Sequence, residues 1–333
     1  MIKRIVRVTS LIVLACVVAF GVSRPAWTAE AGKSPVKVFI LAGQSNMEGH
    51  GAIAGKQKGT LETLLKDPNT APRYKQLVDK DGKWVVRNDV WLSYYDTKGP
   101  LTIGKTAAKN SIGPEIGFGW VVGDYLENPV LLIKVAAGGT SLAGPWRSPS
   151  SCKDNGRAVG GLYTGLIAGV KKQIADIKAD FPDLAGRGVE IAGFGWHQGW
   201  NDGCSAKDTA EYETNMVNFI KDVRKDLGAA NMPFVIGGSG FGGWGQTVDR
   251  RLGIMKAQKA AAERPEFKGN VMYVETRDFF REAKDSPNRF GFHWNANAET
   301  HYLIGEAMGK AMVEMLGGPK APVNPTTRPS DRK

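Results

Sequence analysis

The run Val38-Phe39-Ile40-Leu41-Ala42 passes without a polar break into the turn Gly43-Gln44-Ser45-Asn46-Met47-Glu48-Gly49. An apolar run of this kind reads as a buried strand, and its abrupt end constrains the fold more than any other feature of the chain. Gly43 permits a sharp turn. Ser45 then stands at the carboxyl end of the strand with its own N–H free at the start of a following helix. An open α/β sheet places its ligands at that end. A nucleophilic serine and an oxyanion donor both need this geometry, although Gly-Ser-Asn turns also end strands that carry no chemistry.

Further buried strands are expected at residues 89–95, 129–136, 189–196, 233–237 and 271–275, after a first at 36–42. Between them lie amphipathic helical patterns. Leu162, Leu166, Val170, Ile174 and Ile177 share one face, and Phe181-Pro182 ends that helix. Tyr212, Met216, Phe219, Ile220, Val223 and Leu227 form the stripe of a second, and residues 298–315 form a third. Strand–helix alternation argues for a parallel sheet with helices on both faces. The Lys- and Gly-rich insertion before the second strand is expected to cover the rim of the site. No internal repeat is visible.

The amino terminus reads as a secretory signal over residues 1–31: Lys3, Arg4 and Arg7, then an apolar core from Val8 to Val22, then Ala29-Glu30-Ala31. The core is shorter than the ~20 residues of a spanning helix, so a cleaved leader is expected rather than a stable membrane anchor. Cys16 imitates a lipoprotein site poorly, being too deep in the apolar core. Export implies a secreted or periplasmic protein. One large domain over residues 32–317 would follow, with a Pro-rich polar tail over 318–333. The leader carries Lys3, Arg4, Arg7 and Arg24 against Glu30, so its removal lowers the net charge of +11 by three. The remaining Lys and Arg are scattered, with no stripe for nucleic acid. Cys152 and Cys204 survive cleavage, and an oxidising compartment favours their pairing as a disulfide. A sheet in the flavodoxin-like order 2-1-3-4-5 would make the third and fourth strands neighbours and bring both cysteines to one rim. No metal-ligand spacing and no dinucleotide fingerprint appear, so no cofactor is expected.

Three more blocks accompany the serine turn: Lys134-Val135-Ala136-Ala137-Gly138-Gly139-Thr140-Ser141-Leu142, Trp196-His197-Gln198-Gly199-Trp200-Asn201-Asp202, and Phe292-His293-Trp294-Asn295. In this order they resemble the SGNH-hydrolase superfamily, and within it the sialate O-acetylesterase and acetylxylan-esterase-like carbohydrate esterases, over about residues 36–315. The resemblance implies a flavodoxin-like three-layer α/β/α sandwich with a mostly parallel sheet. It also implies a serine esterase that removes O-acetyl groups from carbohydrate, with an acetylated carbohydrate as its partner. Ser45 would be the nucleophile and His293 its base. The oxyanion donors would be the Ser45 N–H, a glycine N–H from Gly138 or Gly139, and the amide of Gln198. His50, Trp146 and Trp200 are candidate substrate contacts. Trp294 is a further aromatic candidate, and tryptophan is equally good core material. Glu115 and Arg224 read as structural.

The chain departs from the superfamily pattern at the acid. Phe290 stands three residues before His293, where an aspartate is usual, and Trp200 stands where relatives in this branch often carry a glutamate. Asp202 is the leading substitute; Asp278, Asp285 and Glu299 are others, and a Ser45–His293 dyad stands beside them. The rival in another class is a non-catalytic carbohydrate-binding or scaffold protein on a decayed hydrolase fold. Lipid or thioester hydrolysis by the same machinery is a third reading.

Overall fold

The computed structural model describes residues 33–104, 110–153 and 156–320. The expected leader and most of the expected tail lie outside the described residues. Seven strands form the main sheet: β1 (Val36–Gly43), β2 (Val86–Tyr94), β3 (Thr97–Thr102), β4 (Val130–Ala136), β5 (Val189–His197), β6 (Phe234–Gly237) and β7 (Val271–Val274). Their order is β3-β2-β4-β1-β5-β6-β7. All neighbours are parallel except β2 and β3, which form an antiparallel hairpin at one edge. The fold is therefore the mixed α/β, mostly parallel sandwich that the sequence pattern called for.

The strand order needs one correction. The strand expected at residues 89–95 was counted as the second of the flavodoxin-like set. It instead lies outside β4, between β4 and the edge strand β3. Without β2 and β3 the remaining five strands do run 2-1-3-4-5. β1 thus lies between the strands expected to be neighbours, and it separates the loops that carry the two cysteines. Cys152 and Cys204 are free thiols, not a disulfide. The Cys152 Sγ bonds to the Ser148 carbonyl at 3.3 Å, and the Cys204 Sγ to the Trp200 carbonyl at 3.4 Å, each within its own turn.

Alternation along β1 builds two cores. Val36, Val38, Ile40 and Ala42 face one side, where they meet α3 (Gly161–Ala175), α4 (Ala206–Asp226) and α5 (Asp249–Ala262). Phe39 and Leu41 face the other, against α2 (Pro114–Tyr125) and α6 (Ala298–Met315). Each of these β1 side chains is fully buried, and each Val, Ile, Leu or Phe contributes about 1.5–3 kcal/mol on burial. α2 and α6 cross at very close range. A Cβ on Gly305 would lie 1.9 Å from the Pro114 carbonyl oxygen, and one on Gly117 would lie 2.2 Å from that of Tyr302. Caps fix where helices begin: Ser205 accepts from the Asp208 N–H for α4, and Asn297 accepts from the Thr300 N–H for α6.

The insertion between β1 and β2, expected to cover the rim of the site, puts no residue of 51–88 into the cavity lining. Its residues 73–76 lie along α6, where Arg73 pairs with Glu306, Tyr74 donates to Glu299 and Gln76 donates to Tyr302.

Candidate active site

Register brings three motif turns to one edge of the sheet. Gly43 lies opposite Ala136 on one side and His197 on the other. The segments that follow carry Gln44-Ser45, Gly138-Gly139 and Gln198 to Asp202. Gly43 must be glycine because a Cβ there would sit 2.2 Å from the His197 carbonyl oxygen. Ser45 opens α1 (Ser45–Glu48), a single turn, so its N–H has no intrahelical acceptor. Gln44, Ser45, Asn46, Gly139, Trp200, Asn201, Phe292 and His293 line one cavity of about 160 Å³.

His293 reaches this cavity on an unusual loop. His293, Trp294, Asn295 and Ala296 all have positive φ, between 51° and 57°. Such a run is costly for residues with a Cβ and persists only where neighbours hold it. Asn295 is the main tie: its Oδ1 accepts from the Gly291 N–H at 3.0 Å and its Nδ2 donates to the Arg281 carbonyl at 3.2 Å. Asn297 ties the other end, donating to the Asp285 carbonyl at 3.0 Å and to Ser286 Oγ at 3.1 Å. Burial lowers the His293 pKa, which keeps its ring neutral and able to accept a proton.

The four histidines of the chain gather here. His50 lies face to face with His293, ring centres 3.8 Å apart and planes 1° apart. His197 is wholly buried, and its Nδ1 lies 3.0 Å from the Gly237 carbonyl, which only accepts, so Nδ1 carries the proton. His301, on α6, is also wholly buried and within electrostatic reach of the other three. Desolvation, with His293 and Lys134 adding to it, lowers the His50 pKa to about 4, and desolvation lowers that of His197 to about 4.

The expected oxyanion donors fare differently. Gly139 lines the cavity. Gly138 lies beside Ser45, but its N–H donates to Glu48 Oε1 at 2.9 Å and is already spent. Gln198 is spent too: its Nε2 lies 2.6 Å from Asp202 Oδ2, 3.0 Å from the Thr140 carbonyl and 3.2 Å from Gln44 Oε1. Its Oε1 accepts from Tyr212. Of the side-chain amides that line the cavity, those of Gln44, Asn46 and Asn201, the one in the Gln198 loop is Asn201. Its Oδ1 accepts from Gln44 Nε2 at 3.2 Å, which leaves Nδ2 without a protein acceptor among the described residues. Sequence reasoning missed Asn201, though it sits three residues beyond Gln198 in the same block.

Asp202 is not brought to His293. Its carboxylate is buried, accepting from the Leu142 and Ala143 N–H groups at 2.9 Å and from Gln198. Burial raises its pKa to about 6, against hydrogen bonds that favour the carboxylate. The residue clasps the 140–143 loop. Asp278 accepts from Trp244, Asp285 pairs with Lys58, and Glu299 pairs with Arg281. Among the described residues no carboxylate bonds to His293. Trp146 is core, fully buried edge-on against Trp196, and not a cavity wall. Trp294 is also buried, while Trp200 lines the cavity under the guanidinium of Arg251, 4.0 Å from its ring centre.

Beneath the serine turn lies an ion pair that the sequence did not reveal. Lys134 and Glu115 meet at 2.7 Å with both side chains fully buried. Lys134 Nζ also donates to the Glu48 carbonyl at 2.8 Å, and Glu115 accepts from the Gly113 N–H at 2.7 Å. The pair bolts α1 to α2. Arg224 is structural as expected, donating to the carbonyls of Met232 and Asn270.

Among the described residues no group of three or more His, Cys, Asp or Glu is arranged to hold a metal ion, and no helix is long and apolar enough to cross a membrane.

Comparison with known proteins identifies the family of the chain. The family model for carbohydrate esterases described as sialic acid-specific acetylesterase matches residues 35–314. A probable carbohydrate esterase of Arabidopsis thaliana is 26% identical over 207 residues, 60% of this chain and 68% of that one. The crystal structure of an Arabidopsis thaliana protein superposes with a TM-score of 0.53 at 17% identity, covering 84% of this chain and 98% of the other. A carbohydrate acetylesterase of Xanthomonas citri gives 0.51 at 12% identity, covering 85% and 57%. NanS gives 0.51 at 11% identity, covering 86% and 98%. With the family model spanning nearly all of the described chain, this protein belongs to the sialic acid-specific acetylesterase family of carbohydrate esterases.

Proposed function

We propose that this protein is an exported serine esterase that releases acetate from O-acetylated carbohydrate, with Ser45 as nucleophile and His293 as base. The observation that carries the reading is that Ser45 and His293 line one small cavity. In this mechanism Ser45 Oγ attacks the acetyl carbonyl carbon and passes its proton to His293. The negative oxygen that forms is held by the Ser45 N–H, Gly139 and the Asn201 amide. Collapse expels the sugar oxygen, which takes the proton back from His293. Water then attacks the acetyl-enzyme with His293 again as base, releasing acetate and restoring Ser45.

Size favours a short acyl group. Pockets for drug-sized ligands run to about 300–1,000 Å³, and the cavity of about 160 Å³ lies below that range. Charge favours an acidic sugar. Arg251 stacks over the cavity wall at Trp200 and has no carboxylate partner among the described residues, so it is free to pair with a sugar carboxylate. The surplus of basic residues acts in the same direction over longer range. Export rests on the signal-like residues 1–31.

The test is acetate release from O-acetylated sialic acid, pectin and xylan by the wild-type chain and by Ser45→Ala. The reading expects release that disappears in the variant and is greatest on the acidic substrates. Equal release by the variant would refute Ser45 as nucleophile.

A further inference from the structure

The positioning of His293 needs an explanation, because a histidine base works best when a partner fixes its ring and steadies the imidazolium. Among the described residues no carboxylate does so. Two aromatic rings do occupy its surroundings. His50 covers one face at 3.8 Å, the closest and most nearly parallel ring pair among the described residues. Phe292 meets the ring edge-on at 4.8 Å and 87°. Phe290, which stands at the position where the superfamily usually keeps its aspartate, stacks on Phe292 at 5.3 Å and 13°. The missing acid has been replaced by a residue that joins a chain of rings: Phe290, Phe292, His293, His50.

We infer that His50 and Phe292 clamp His293 and take over the positioning role of the absent carboxylate, with Phe290 bracing Phe292. The inference rests on the esterase reading above and deepens it.

The backbone on both sides supports a fixed clamp. His50 sits between Gly49, whose carbonyl accepts from Ser111 Oγ at 3.2 Å, and the short pairing of Gly51–Ala52 with Ser111–Ile112. The backbone on both sides of His50 is therefore held in place. The opposite partner is set by the left-handed run and the Asn295 tie. The charges facing the stack agree with a neutral His50. Lys134 from β4 and His301 from α6 disfavour a second positive charge, while Glu48 Oε2 from α1 lies 4.0 Å from His50 Nε2. When His293 takes the proton of Ser45, its positive charge forms against the face of a neutral ring, with the Glu48 carboxylate beyond. A cation on an aromatic face is stabilised by this arrangement.

His50→Ala, His50→Phe and Phe292→Ala, with Ser45→Ala alongside, test the clamp through kcat, KM and the pH–rate profile on p-nitrophenyl acetate. His50→Ala should lower kcat about tenfold, as expected for loss of a desolvated cation–ring contact, with KM little changed. Its acidic limb should also move to lower pH, because the imidazolium then loses the ring face that stabilises it. His50→Phe keeps a ring face and should restore both readouts. Phe292→Ala, at a partly exposed position, should shift both in the same direction by less, and it carries the test if His50→Ala does not fold. Wild-type kcat and pH profile in His50→Ala, or in Phe292→Ala if that variant alone folds, would overturn the inference. So would a His50→Phe enzyme as impaired as His50→Ala. Those results with an inactive Ser45→Ala leave the esterase reading intact; an active Ser45→Ala removes that reading instead.

Discussion

Ser45 and His293 face one cavity from two differently built supports. The serine side is a web of short hydrogen bonds anchored in sheet register. Gln44 Oε1 alone accepts from Gln198 Nε2 and from the backbone N–H groups of Gly199 and Asn201, while Lys134 and Glu115 lock α1 from below. The histidine side is a loop of left-handed residues held by two asparagines and a stack of rings. Buried polar networks specify position tightly and fail badly when cut. Ring contacts are weaker and tolerate substitution of like shape. The contrast explains how His293 can stand without a bonded carboxylate among the described residues while the serine side stays fully tied.

The largest effect expected is on the serine side. Lys134→Met leaves Glu115 charged and unpaired in the core, and should destabilise the fold by about 3–5 kcal/mol, read from the urea midpoint. A smaller change would mean that Glu115 finds another partner.

Next come the two amides of the 198–201 loop. Asn201→Ala should lower kcat by on the order of 10²–10³ with stability nearly unchanged, as for loss of an oxyanion donor. Gln198→Ala should do the reverse in emphasis, lowering the melting temperature because it strips partners from Asp202, Gln44 and Tyr212. Equal kinetic losses with equal stability would erase the distinction drawn between them.

Acid should weaken the histidine cluster. His197 has a folded pKa of about 4, below its unfolded value of about 6.5, so its contribution is present above pH 6.5 and is lost as pH falls toward 4. That loss amounts to about 3 kcal/mol, and burial of His301 acts with the same sign. Asp202 opposes it: its raised pKa of about 6 favours the fold at low pH and costs stability as pH rises through 6. Urea titrations at pH 7 and pH 4.5 should show a net loss at the lower pH. The smallest effect is expected for Asn295→Ala, about 1–2 kcal/mol from two hydrogen bonds, with kcat falling as the left-handed loop relaxes.

How much of this was legible in the sequence follows the same division. β1 and its turn could be read because an apolar run ending in Gly-Gln-Ser-Asn is a local signal, and residues 298–315 were read correctly as a helix. The strand order was misnumbered because nothing in residues 86–94 distinguishes a strand added outside β4 from one next to β1; only pairing does. The disulfide expectation inherited that error. Gln198 is expected from the resemblance and Asp202 from its place in the same loop, and Asn201 is missed, because spacing cannot tell which polar side chain of a tight loop turns inward. The Lys134–Glu115 pair and the His50–His293 stack join residues far apart in the chain, so no periodicity announces them.

The central claim is that Ser45 is an activated nucleophile. Its most direct test is a fluorophosphonate probe on the folded wild-type protein, followed by peptide mass mapping. The account predicts one adduct, on the peptide containing Ser45, and none on the same peptide in Ser45→Ala. A folded wild-type protein with no adduct at Ser45 would contradict it and would favour a binding protein on a hydrolase fold.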